Sequence, residues 1–102
     1  SKPAYHAAAA AAANYVVESL AVSAELLAAA GVDHRVMEPL TRRVVENVFE
    51  VGPEAALTGP IARGDLETVA GQMATADGIS ASLGRQFRLL AQATAARVGI
   101  EL

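Results

Sequence analysis

Residues 2–31 read KPAYHAAAAAAANYVVESLAVSAELLAAAG, and this stretch decides the fold. Nearly every residue from Ala4 to Ala30 is a good helix former; Pro3 stands where a first turn tolerates it and Gly31 where a helix ends. The stretch therefore predicts one helix of about 27 residues, roughly 40 Å long. At the α-helical period, Tyr5, Ala9, Ala13, Val16, Leu20, Ala24 and Leu27 fall on one stripe, and Ala8, Tyr15, Val22 and Leu26 on a second well to one side. Only a narrow strip with Asn14, Glu18 and Glu25 is firmly polar. So much apolar circumference needs two covered faces, whereas a domain of this size has one core. The expectation is that the first stripe turns inward and that the second meets another chain or domain.

Downstream, the punctuation continues in the same style. Asp33 can cap a second helix running to about Val51, with Val36, Leu40, Val44 and Val48 inward and Arg42, Arg43, Glu46 and Glu50 outward; Pro39 must kink or restart it. Gly52 to Gly64 is dense in Gly and Pro and reads as a long connection, of a kind that either carries function or is disordered. Asp65 then caps a third helix on which Leu66, Val69, Ala70 and Met73 share a face. The pair Asp77-Gly78 predicts a turn, and a fourth helix runs from about Ser80 to Val98 with Leu83, Phe87, Leu90 and Val98 inward, stopped by Gly99. No segment alternates with period two, so the chain reads as an all-α helical bundle forming a single domain over residues 1–102.

Composition narrows the function. The chain has 102 residues, of which 53% are hydrophobic, but aromatics are only 4%; about a quarter of all positions are alanine, which makes the apolar content broad and thin. A net charge of −3 supplies no basic field for a phosphate backbone, so nucleic acid is not an expected partner. With no cysteine and two histidines, neither a disulfide nor a thiolate metal site is available, and no metal is expected. Because polar residues interrupt every apolar stretch, no segment of about 20 residues is expected to cross a membrane. The start at Ser1-Lys2-Pro3, without an initiator Met, suggests a cut at a domain boundary. Phosphate-binding loops, dinucleotide fingerprints, zinc-binding His-Glu-x-x-His and serine-nucleophile motifs are all missing.

Two stretches stand out from the helical background. One is Lys2-Pro3-Ala4-Tyr5-His6 leading to Asn14-Tyr15; the other is Leu57-Thr58-Gly59-Pro60-Ile61-Ala62-Arg63-Gly64-Asp65. Together they resemble the C-terminal helical domain of a Rossmann-like oxidoreductase family catalogued as domain of unknown function 2520. That family is similar in layout to ketopantoate reductase and to the 6-phosphogluconate dehydrogenase C-terminal superfamily. The resemblance implies a fold like that superfamily's C-terminal domain, a homodimer built on the long first helix, and an N-terminal dinucleotide-binding domain that this chain lacks. It also implies NADP or NAD bound by the parent protein, with no cofactor in this chain, a small carbonyl or imine substrate in the interdomain cleft, and a cytoplasmic setting.

Within that frame, His6 is the candidate catalytic residue, since an imidazole titrating near neutrality can relay a proton to a carbonyl undergoing reduction. As substrate-binding candidates, Asn14 offers an amide, Thr58 a hydroxyl and Arg63 a forked cation suited to a carboxylate or phosphate, while Lys2 could reach an acidic group from the domain junction. Structural roles stand beside these: a half-buried His6, a solvated Asn14 or Lys2, and an Arg63 paired with Asp65. The competing class is a free-standing helical dimerisation or adaptor module with no enzymatic activity. A strand and Gly-x-Gly-x-x-Gly upstream in the gene would decide for the reductase.

Overall fold

A computed structural model describes residues 1–102. The chain is 82% helix and has no strand, a helical bundle with a long first helix, as the sequence predicts. That long helix consists of α1 (Lys2–Ala12) and α2 (Asn14–Ala29), separated by one irregular residue, Ala13, at φ −120° and ψ −68°. Hydrogen bonding spans the irregularity, from Ala13 N–H to Ala9 O and from Val17 N–H to Ala13 O. Twenty-eight residues at 1.5 Å each make a rod of about 42 Å, which matches the 42 Å long dimension of the molecule.

Local chemistry sets the helix ends. Ser1 accepts the Ala4 N–H, and at the far end Gly31, at φ 73°, lets the Val32 N–H reach back 2.9 Å to Leu27 O. This left-handed residue closes the last turn, a conformation glycine adopts without steric cost. Asp33 caps a 3-10 turn, His34–Met37, and α3 (Glu38–Val51) begins beside it with Pro39 in its first turn, so Pro39 restarts the helix. The Gly/Pro-rich connection contains two single turns of helix, α4 (Pro53–Ala56) and α5 (Pro60–Arg63). Asp65 caps α6 (Leu66–Ile79), and Ser80 caps α7 (Ala81–Arg97) by accepting the Leu83 N–H at 3.0 Å.

The expected Asp77-Gly78 turn does not form. Both residues lie inside α6, and the chain reverses at extended Ser80 instead. A glycine costs a helix interior about 1 kcal/mol; packing along α6 outweighs it, and Ser80 supplies a better cap.

The α6–α7 hairpin is the densest part of the molecule, and α2 lies across it. Val22 of α2, Ala76 of α6 and Leu83 of α7 form the central cluster, flanked by Leu26, Phe87 and Leu90. Val69, Gly84, Ala91 and Ala95 are also buried, so small side chains line much of the α6–α7 contact.

This arrangement reverses the expected faces of the first helix. Val22 and Leu26, assigned to an outside partner, pack internally, whereas Tyr5, Val16 and Leu20 of the stripe expected inside are exposed. Period alone places residues on a stripe; which stripe turns inward depends on where the hairpin docks. Val36, Leu40 and Val44 are exposed too, because α3 packs chiefly on α4 and the 3-10 turn rather than into the core. Leu66, Ala70 and Val98 likewise face outward.

Only 7 of 102 residues are buried, and the accessible surface is 7338 Å². A compact monomer of this mass exposes about 5,400 Å², and its radius of gyration would be about 12.8 Å against the 14.4 Å found here. Tyr5, Tyr15 and Val17 of the long helix and Phe49 of α3 are among the large apolar residues left exposed. By length and composition alone, Lys2–Ala29 is also long and apolar enough to cross a bilayer, with a mean hydropathy of 1.3 over its most apolar window. The expectation that no segment reaches this level is therefore corrected. Alanine raises hydropathy without bulk, which is why so thin a helix passes.

Candidate functional site

Two clefts flank α2. The first, of 570 Å³, lies between α2 and the 3-10 turn with α3: Val16, Leu20 and Ser23 form one wall, and His34, Arg35, Met37 and Thr41 belong to the other. Arg42 borders it too, but its guanidinium is held by Glu38 one turn back at 2.8 Å. Thr41 is also occupied, donating to the Met37 carbonyl at 2.8 Å. His34 and Arg35 are exposed at the cleft, with side chains that make no hydrogen bond or ion pair within the chain. The second cleft, of 550 Å³, is more apolar and runs between Leu26, Leu40, Ile61, Phe87 and Leu90.

None of the five residues singled out from the sequence lines either cleft. Lys2 and His6 lie exposed on α1, where the His6 ring meets the Tyr5 ring edge-on at 6.3 Å between centroids. Asn14 is exposed at the first residue of α2, directly after the irregular Ala13. Thr58 sits exposed between α4 and α5, and Arg63 ends α5. Of the loop, α4 packs on α3 and α5 on α6 and α7, while α1 meets chiefly α2, the continuation of its own rod. Within one chain, tertiary packing thus leaves the two segments apart.

Around the loop, the chemistry is local. Asp65 accepts the Thr68 hydroxyl at 2.7 Å and the Thr68 N–H at 3.3 Å. These bonds hold its carboxyl below the ordinary value of 3.8, with a smaller contribution from the Arg63 charge. Arg63 nevertheless forms no ion pair with Asp65; the two ion pairs in the molecule are Arg42–Glu38 and Arg88–Asp77. Its guanidinium is free to meet an anion. Glu18, of the polar strip on the first helix, is half-buried, and its Oε2 is shielded without a hydrogen-bond partner.

Residues 1–94 match the model of the family described as Domain of unknown function (DUF2520). The chain belongs to this family. No curated protein and no solved structure matches it.

The sequence reading of this DUF2520 domain passed over the α2–α3 cleft. Its signal was present in Asp33-His34-Arg35, an N-cap followed by two cationic-capable side chains, next to the outward-facing Arg42 and Arg43. No three His, Cys, Asp or Glu side chains gather where a metal could sit.

Proposed function

We propose that this chain is the dimerisation and substrate-cleft domain of an NAD(P)-dependent oxidoreductase acting on a small carbonyl or imine compound, inert by itself. The observation that carries the reading is the apolar surface left open along a long helix by a fold that buries only seven residues. A surface of that kind marks an interaction site. The reductase context rests on the resemblance carried by Lys2–His6 and by Leu57–Asp65. In this reading a separate N-terminal domain binds the dinucleotide, and the parent protein is cytoplasmic.

His6, Lys2 and Asn14 on the first helix would border the interdomain cleft, with His6 handing a proton to the substrate's carbonyl oxygen. Thr58 and Arg63 would hold an anionic group of the substrate. The adaptor reading draws on the same open apolar helix, which suits a pairing module without an enzymatic parent.

Sedimentation of the chain at tens of micromolar, on the order of ordinary assay concentrations, should show a dimer. A monomer would overturn the dimerisation role. Calorimetric titration with NADPH should show no saturable binding, and micromolar binding would mean that the cofactor is held here rather than in a second domain. Appending the upstream domain should give NADPH oxidation with small carbonyl or imine compounds. If the upstream sequence encodes no dinucleotide fold, the adaptor reading replaces this one.

A further inference from the structure

The exposed stripe of the first helix carries large and small residues in a fixed order: Tyr5, Ala9 and Ala13 in its first half, then Val16, Leu20 and Ala24. When two such helices run antiparallel, each position i lies level with position 29 − i of the other, provided the two-fold axis falls between Asn14 and Tyr15. Leu20 is then level with the partner's Ala9, Val16 with the partner's Ala13, and Ala24 with the partner's Tyr5. In these three pairs a large residue meets a small one, and the two-fold repeats each match; Leu27, the last residue of the stripe, is half-buried and falls level with the partner's Lys2. An isologous interface requires this self-complementarity.

The surroundings agree with it. Tyr5 is 76% exposed, Leu20 41% and Val16 39%, and no residue of α1 is buried. Val16 and Leu20 also form one wall of the 570 Å³ cleft, whose far wall is the 3-10 turn and α3. The second half of α1, residues 7–12, is all alanine and so has a cross-section suited to lying close in such a groove. The surface in excess of a compact monomer, about 1,900 Å² per chain, exceeds the roughly 800 Å² per partner of a standard stable interface.

We infer that a second copy of this chain covers the stripe in this antiparallel register, so that α1 of each copy fills the α2–α3 cleft of the other. The partner's Tyr5 then lies at the cleft edge, level with Ser23 and Ala24. The cleft is complete only in the pair. This inference rests on the dimerisation reading above and adds to it the face, the direction and the register.

The chain has no cysteine, so introduced thiols report unambiguously. Ala9→Cys and Leu20→Cys are prepared as separate chains and oxidised under mild conditions, alone and mixed. A disulfide needs Cα atoms within about 7 Å, whereas in this register the two copies of position 9 sit about 16 Å apart along the axis. The expected result is a covalent dimer, sensitive to reductant, in the mixture and in neither variant alone. Cross-linking of Ala9→Cys with itself, or a sedimenting dimer that does not cross-link in the mixture, overturns the register while leaving dimerisation intact. A monomer at tens of micromolar overturns both readings. A monomer that floats with phosphatidylcholine vesicles overturns both as well and puts lipid on the stripe.

Discussion

Gly84 of α7 lies so close against Asp77 of α6 that a Cβ on Gly84 would fall on the Asp77 carboxylate and stand 3.0 Å from its Cα. The carboxylate cannot swing away freely, because Arg88, one turn beyond Gly84, holds it at 2.7 Å. One residue without a side chain therefore sets how tightly the hairpin closes. The Arg88–Asp77 bond spans the same place with charge and also leans on the Met73 sulfur.

Gly84→Ala should destabilise the fold by about 2 kcal/mol through overpacking, lowering the melting temperature by roughly 8–16 °C at 4–8 °C per kcal/mol. Adding Asp77→Ala should recover part of that loss by clearing the carboxylate. Thermal denaturation followed by far-UV circular dichroism is the check, and an unchanged Gly84→Ala midpoint would contradict the close approach.

Val22→Glu and Leu20→Glu should separate the two faces of the first helix. Val22 is 3% exposed in the core, so a carboxylate there should cost several kcal/mol and unfold a large part of the population. Leu20→Glu should leave the helical spectrum unchanged and abolish pairing. If sedimentation and circular dichroism show the reverse, the internal face has been misassigned.

The Asp65 cap should impose a pH dependence. Folding lowers its pKa below 3.8 through the Thr68 bonds and then the Arg63 charge. Its stabilisation is therefore fully present above the unfolded value and fades as pH falls through the lower, folded one. Asp65→Asn keeps a capping oxygen without the charge. Urea denaturation between neutral pH and pH 3 should show a smaller acid loss in Asp65→Asn than in the parent chain.

In the two-domain oxidoreductase of the proposed function, His6→Ala should lower kcat by about a hundredfold or more, the usual contribution of a proton-transfer group. Arg63→Ala should chiefly raise KM for an anionic substrate. Steady-state kinetics that leave both constants unchanged would return the two residues to the helix surface and the loop.

What was legible in the sequence was the chemistry of the helix ends. Pro3, Gly31, Pro39 and Asp65 each act within a few residues and do what their type and position predict, whereas Asp33 caps only the 3-10 turn and not the helix that runs to Val51. Burial was not legible in the same way. Val22 and Leu20 are both aliphatic, two residues apart, on a helix apolar over most of its girth; only the docking of α6 and α7 distinguishes them. Gly78 misled for a related reason, since a glycine signals a turn only where nothing packs the helix through it. The loop residues Thr58 and Arg63 stood out by type, but type carries no information on which helices the loop folds against.

Ala13 gives the first helix a joint. The eleven residues before it bury nothing, and a helix that short is marginal in water even when it is rich in alanine. Amide protons of α1 should exchange with solvent far faster than those around Val22, which are locked by the hairpin. A partner that needs α1 ordered must then supply the entropy of its ordering, so slow exchange in this segment would itself be a readout of occupancy, rising with protein concentration while the rest of the chain stays constant.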